Sequence, residues 1–491
     1  MRMKMRSELI GRFIAAAAAA VSCAAMAMTP QQAADQFAAD PSLEHASVGI
    51  CILDMSTGEV VAAVNPDQSE VAASTIKTIT AATALYRLGP DFTFSTQVIA
   101  VGGISGDGTL CGDLVIKGGG DPTLGSKHFD DHPSFFGEII SALQDIGVKR
   151  IEGAIVPDGS AIPFPPVPQS WTVEDLGWGY GAGCFGLCYA DNLVTLSFDI
   201  NGSKPSRLKV QPEFPSLKIN NLVTLHGPKE APAGGVSAYV DYLTPGIILW
   251  GSAERSEKRY GSEFANPAPQ LLLRDRLSAS LAAAGIQVGD EAVYGPGRKT
   301  AAGSDSLLLL DFSSPPLSQI LASMLERSDN MYAEMTLRAV AAASGQEATP
   351  QQGVKVVERF WKSRGLDTGS LFMKDGSGLS RAGKASARFL CQVLAKACAD
   401  SLQIGASLPA LLPRAGQSGT VKSLLRKSAL KGKLALKSGS MNAVHCYVGY
   451  YPAEEPRYTV AILVNNFTGY RSKLRSNIEK FFIRAFAPEE K

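Results

Sequence analysis

The apolar positions of this 491-residue chain fall into blocks whose spacing changes along its length. Thr29-Pro30 is a helix start, and the amphipathic pattern behind it runs to about Asp40. Residues 46–54 and 59–64 read as a β-hairpin: Ala46 to Leu53 is strand-like, Ser56-Thr57-Gly58-Glu59 is the turn, and Val60 to Val64 returns. The spacing of Ile76, Ile79, Ala82 and Leu85 then predicts a helix opened by Ser74 and closed by Gly89-Pro90.

From about residue 96 to 160 the sequence is glycine-rich and strand-forming. It includes Gly118-Gly119-Gly120, which no Gly-Lys-Ser/Thr follows, so it is not a phosphate loop. Residues 162–185, rich in proline, glycine and aromatics, read as a connection, and 191–262 as strands with tight turns. A helix is expected at about 268–284, followed by Gly285 and a short strand. Helical spacing resumes from Pro316-Leu317 towards Glu326 and again over 331–343, and Asp375 to Ser380 is a tight loop. A helix over 385–400, a strand entering at Leu434, strands at about 444–451 and 457–465, and a helix at 470–486 complete the pattern. The two ends share one style, and about 210 residues of another style separate them. That predicts an insertion within one catalytic domain, in a chain too long for a single core.

Composition narrows the class. With 45% hydrophobic residues and a formal charge of +1, the chain reads as globular. It has no basic block of the kind that binds nucleic acid. Arg2, Lys4, Arg6 and Arg12 precede Phe13-Ile14, an alanine run and Ala25-Met26-Ala27, the pattern of a cleaved signal peptide over 1–27. Its removal takes four basic residues and one acidic residue, leaving a net charge of −2 and implying export to the periplasm. Ala20, three residues before Cys23, argues against a lipid-modified cysteine, so membrane association is peripheral at most. The seven cysteines that remain cannot all pair within one chain. Cys391 and Cys398 lie two helical turns apart, too far to bridge, whereas Cys184 and Cys188 could pair in a tight loop; most read as small buried hydrophobes. His128 and His132 lack further ligands, so neither a metal nor another cofactor is expected.

The chemistry lies in three short motifs: Ser74-Thr75-Ile76-Lys77, Ser328-Asp329-Asn330 and Lys437-Ser438-Gly439. Singly, two of them are weak, since Ser206 and Lys209, Ser428 and Lys431, and Ser440-Met441-Asn442 fit equally well. Taken alone, Ser74 is a helix cap, Lys77 and Lys437 are solvated, and Ser328-Asp329-Asn330 is a capped loop. The order of all three, each in a suitable context, points instead to an active-serine enzyme with lysine as base. Residues three apart share a helix face, so Lys77 reaches the Ser74 hydroxyl. Lysine acts as a base once burial or a neighbouring cation lowers its pKa, and Lys437 is such a cation. Ser328 can relay a proton to a leaving amine. Asn330 can orient Lys77 and bind a substrate amide, Lys437 and Ser438 suit a carboxylate, and Gly439 lets a strand edge approach closely.

These motifs resemble those of the class C low-molecular-mass penicillin-binding proteins, the D-alanyl-D-alanine carboxypeptidase/endopeptidase type of peptidase family S13. Further resemblance lies in Gly112 to Leu124, Tyr180-Gly181-Ala182 with Asp191-Asn192, Asp375 to Arg381, Gly419-Thr420, and the 254-residue step from Ser74 to Ser328. It covers nearly all of the chain after residue 27. The resemblance implies an α+β penicillin-recognising serine transpeptidase-like domain, an antiparallel sheet between helices, formed by 28–95 and 305–491. It implies a large, mostly β, two-part insertion: 96–165 with 262–304, and 166–261. Ser74 becomes the acylated nucleophile, Lys77 the base, Ser328 the proton relay and Asn330 a substrate and lysine contact. Lys437 and Ser438 bind the terminal carboxylate, and the Ser74 and Ser440 N–H groups form the oxyanion hole. Peptidoglycan stem peptides are the implied substrates, and β-lactams covalent inhibitors. Ser438 stands where the family usually has threonine, which keeps the hydroxyl and loses a methyl. The alternatives are a β-lactamase or esterase on the same fold, or a catalytically silent peptidoglycan-binding protein.

Overall fold

The computed structural model describes residues 28–227, 230, 234–289 and 305–486. The expected signal peptide, with Cys23, lies outside the described residues. Helix α1 (Pro30–Ala38) starts in a capping box: the Thr29 hydroxyl accepts the Gln32 N–H, and the Gln32 side chain accepts the Thr29 N–H. Strands β1 (Ser47–Asp54) and β2 (Val60–Val64) form the expected hairpin. A 3-10 turn over Ala73–Thr75 leads into α2 (Ile76–Leu88), which stops at Gly89 with φ +83°.

The middle of the chain holds β3 (Ser95–Val101), β4 (Asp113–Gly118), α3 (Phe135–Asp145) and β5 (Ile155–Asp158), then β6 (Leu193–Ile200) and β7 (Ser206–Gln211). After these come β8 (Val236–Asp241), β9 (Gly246–Glu254), β10 (Ser256–Ala265), α4 (Pro269–Ala283) and β11 (Ser306–Ser313). The last third holds α5 (Leu317–Arg327), α6 (Asn330–Ala343), α7 (Pro350–Ser363), α8 (Ala387–Ala399), β12 (Ala435–Met441), β13 (Val444–Tyr451), β14 (Tyr458–Asn465) and α9 (Arg471–Phe486). Three of these depart from the sequence reading. Helix α3 stands in a stretch read as strand, and α7 and β11 occupy stretches given no element.

The ends of the chain meet in one antiparallel sheet of order β12-β13-β14-β1-β2. Strand β1 lies inside the sheet, between β14 and β2, and is buried on both faces, so it reads as a nearly continuous apolar run. Val48, Ile50 and Ile52 join a core with α1 and α9, while Cys51 and Leu53 face the larger core behind α2 and α8. This α+β arrangement, a sheet between helical layers, is the fold the motifs implied. The middle segments build separate sheets. One has the order β11-β3-β4-β5, another β7-β6-β10, and β8 pairs with β9 in a third. Where β4 ends, a Cβ on Gly118 would strike the Gly186 carbonyl and one on Gly119 the Ser95 carbonyl. The glycine run therefore serves close backbone packing.

All seven described cysteines are free thiols; Cys184 and Cys188 are both buried and unbridged. Among the described residues no helix is long and apolar enough to cross a membrane.

Phe482 of α9 is fully buried between α1 and the sheet, beside Phe481 and Tyr447. Phe482→Ala should lower stability by about 3–5 kcal/mol, seen as a lower urea midpoint.

Candidate active site

Three separate elements bring the motifs together. Ser74 sits in the 3-10 turn at the head of α2, directly after Ala73, whose φ is +48°. Ser328 ends α5 in the left-handed region, with φ +63°. Asp329 explains why the chain tolerates this: its carboxylate caps α6 by accepting the Tyr332 N–H at 2.9 Å, so Ser328 is pinned between two helix ends. Lys437, Ser438 and Ser440 lie on β12. Gly439 lies between them, and a Cβ there would come within 2.8 Å of the Ala72 carbonyl and 3.1 Å of the Ser74 nitrogen. Only glycine lets this strand lie so close to the nucleophile's turn.

The Lys77 ammonium is 0% exposed and meets three acceptors: Ser74 Oγ at 3.0 Å, Asn330 Oδ1 at 2.6 Å and the Ser377 carbonyl at 2.7 Å. These match the three donors of a lysine head group. Burial lowers the Lys77 pKa to about 8, and the carboxylates of Asp375, Asp329 and Glu334 oppose that shift. Lys437 is equally buried. It donates to Ser328 Oγ at 2.9 Å and to the Ser438 carbonyl at 2.8 Å. Its pKa is pushed well down, first by burial and then by repulsion from Lys77. The sequence assigned Lys437 the task of lowering Lys77. In the structure burial is the first cause of the lowered pKa of both lysines.

Ser74, Ser328, Thr420, Ser438 and Ser440 line one cleft of about 350 Å³. Lys77, Asn330 and Lys437 stand behind its wall, reaching it through the serine hydroxyls they hold. Every residue expected at the site is therefore in one place. The Ser438 hydroxyl donates to Thr420 Oγ1 at 2.7 Å. That bond fixes the hydroxyl in the absence of the usual methyl group.

Several contributors were given no role in the sequence reading, although the loop from Asp375 was part of the resemblance. Glu334, buried on α6 one turn beyond Asn330, accepts the Gly376 and Ser377 N–H groups at 2.8 and 2.9 Å. It thereby aims the Ser377 carbonyl at Lys77, and burial raises its pKa. Arg338 lies 3.4 Å from Glu334 Oε2. Asp375 accepts from the Gly378 and Ser380 N–H groups and from Trp171 Nε1 at 2.8 Å. The stripe Asn330, Glu334, Arg338, polar at four-residue steps on a mostly apolar helix, was the available signal. His445 is a second case: it links Ser440 Oγ at 2.7 Å to the Tyr447 hydroxyl at 3.0 Å. Nothing in the sequence marked it beyond its place after the third motif. Among the described residues no group of histidine, cysteine and carboxylate side chains could hold a metal ion.

Known proteins share this architecture. The chain is 28% identical to a D-alanyl-D-alanine carboxypeptidase of Actinomadura sp. (strain R39), over 89% of this chain and 80% of that protein. It is 25% identical to the D-alanyl-D-alanine carboxypeptidase DacB of Haemophilus influenzae, over 83% of this chain and 82% of that one. The crystal structure of penicillin binding protein 4 (dacB) from Haemophilus influenzae superposes with a TM-score of 0.76 at 23% identity, covering 90% of this chain and 95% of that one. A model of the D-Ala-D-Ala carboxypeptidase 3 (S13) family matches residues 30–482. The resemblance carried by the three motifs is thus borne out across the described chain, which belongs to the D-Ala-D-Ala carboxypeptidase 3 (S13) family.

Proposed function

We propose that the chain is an exported serine-type D-Ala-D-Ala carboxypeptidase acting on peptidoglycan stem peptides through an acyl-enzyme, and that it also cuts cross-links between stems. The observation that carries this reading is the Lys77 ammonium, buried, in reach of Ser74 Oγ and lowered to about 8. In its neutral form Lys77 takes the Ser74 proton as Oγ attacks the penultimate D-Ala carbonyl. The oxyanion is met by the N–H groups of Ser74 and Ser440. Ser328, oriented by Lys437, relays a proton to the departing amine. Ser438, with the Lys437 charge behind it, holds the terminal carboxylate. Water then attacks the ester and restores Ser74. In the same reading 28–95 and 305–491 form the catalytic unit. Residues 96–165 with 262–304, and 166–261, are the insertion. The sheet built from both chain ends supports that division.

A β-lactamase on this fold is the second reading, and one observation weighs against it. Among the described residues the lining of the cleft contains no carboxylate. Asp329, next to Asn330 in sequence, and Glu334, one turn further on, are both occupied by backbone N–H groups: Asp329 by that of Tyr332, Glu334 by those of Gly376 and Ser377. With no acidic side chain among the described residues that line the cleft to activate water against a penicilloyl ester, the adduct should persist.

Intact-mass spectrometry with benzylpenicillin should show one stable adduct, absent in Ser74→Ala. Penicillin consumed without an adduct would favour the β-lactamase, and penicillin left intact the silent binding protein. Lys77→Met should slow acylation about 10²–10⁴-fold, the usual contribution of a general base. The base must be neutral, so kcat/KM should rise about tenfold per pH unit below the Lys77 pKa and level off above about 8. A flat profile between pH 6 and 8 would remove Lys77 from this role.

A further inference from the structure

The cleft does not end at the hydroxyls of β12. It continues past Ser438 and Ser440 to Ser423, to His445 and Tyr447 on β13, and to Arg471, Ser472 and Arg475 on the first turns of α9. In D-Ala-D-Ala cleavage the terminal carboxylate departs with the leaving amine. Whatever lies beyond the groups that hold this carboxylate therefore faces the leaving group and not the acyl part.

Among the described residues, the two arginines of this extension are hydrogen-bonded to no carboxylate. Arg471 donates to the Met441 carbonyl at 2.7 Å and Arg475 to Ser423 Oγ at 3.0 Å, both neutral acceptors. Glu479, one turn beyond Arg475, accepts the Leu425 N–H at 3.0 Å. Helix α9 opens with Arg471, Lys473 and Arg475 and has no acidic residue in its first turn. Cations at a helix N-terminus oppose its dipole, so this arrangement costs stability and an anion seated there would relieve it. His445 adds no charge: burial and the two arginines hold its pKa near 4, and both its ring nitrogens are engaged.

We propose that Arg471 and Arg475 form a subsite for a second carboxylate on the leaving group, beyond the one next to the scissile amide. The ligand class is an acidic peptide departing as an amine, as happens when a cross-link between two stems is cut. A lone D-alanine has no group to place there. Guanidinium groups suit the task because they bind carboxylates through paired N–H donors. The subsite rests on the acyl-enzyme reading above and adds leaving-group selectivity to it.

The test uses the full mature protein and three peptides with one acyl part, ending in D-Ala-D-Ala, D-Ala-D-Glu or D-Ala-D-Gln. D-Glu and D-Gln are nearly isosteric and differ in charge. The wild type should cleave the D-Glu peptide with a kcat/KM about tenfold above the D-Gln peptide, the scale of one charge-assisted contact. Arg475→Gln combined with Arg471→Gln should bring that ratio to about one, and 0.5 M salt should shrink it in the wild type. Thermal melting checks that the double variant is folded. Equal rates on D-Glu and D-Gln in the wild type, or a preference that survives in the folded double variant, overturns the subsite while D-Ala-D-Ala cleavage stands. No cleavage of D-Ala-D-Ala removes the peptidase reading and the subsite with it.

Discussion

One buried ammonium organises this molecule. Lys77 is closed off from bulk solvent, and its three N–H donors go to three different parts of the chain: the turn ahead of α2, the first residue of α6, and the loop at 375–380. An unpaired buried charge costs several kcal/mol, so each acceptor must stay in place for the folded state to persist. The constraint works in both directions. The same bonds that make burial tolerable set the distance from the lysine to the Ser74 hydroxyl, and burial is what brings its pKa towards neutrality. Stability and basicity are two effects of one placement.

The surroundings of Lys77 show how that placement is held without fixing the proton too firmly. Asp375, Asp329 and Glu334 all favour the charged form, yet none is among its hydrogen-bonding partners. Their oxygens are taken up by backbone N–H groups: Glu334 holds 376 and 377, Asp375 holds 378 and 380, and Asp329 caps α6. A carboxylate in direct contact with Lys77 would raise its pKa and silence it as a base. Used one step away, the same carboxylates shape the loop and temper the shift. Lys437 is likewise held by neutral oxygens, the Ser328 hydroxyl and the Ser438 carbonyl.

Much of this was legible in the sequence because the site is written in short local motifs and the fold in strong periodicities. The hairpin at 47–64, the helix after Ser74 and the three strands near the end follow directly from spacing and turn residues. What was lost had physical reasons. Helix α3 presents Phe135, Ile139 and Leu143 to a core, a helical spacing hidden by the glycine-rich stretches around it. Strand β11 carries an unbroken leucine run, which periodicity alone does not assign to a strand or a helix. Helix α7 had its cap, Thr349-Pro350, and its buried stripe Val354, Val357 and Trp361, but no chemistry drew attention to it. Glu334 and His445 act through tertiary neighbours, which no local pattern records.

The stretch 162–185 shows the limit most clearly, because its composition reads as a mere connection. Two of its groups reach the chemistry. Trp171 donates its indole N–H to Asp375, fixing the loop whose Ser377 carbonyl holds Lys77. The Tyr180 carbonyl accepts from Asn330 Nδ2 at 2.8 Å. That second bond decides which way the amide of Asn330 faces. With Nδ2 committed to a carbonyl, Oδ1 must point at Lys77, and the reverse orientation would set an N–H₂ group against an ammonium. The lysine's strongest acceptor is thus oriented from the middle of the chain, far in sequence from either half of the sheet. A segment with no catalytic group of its own therefore fixes the geometry of the base, and a shift in its backbone would reach Ser74 through Asn330 and Lys77.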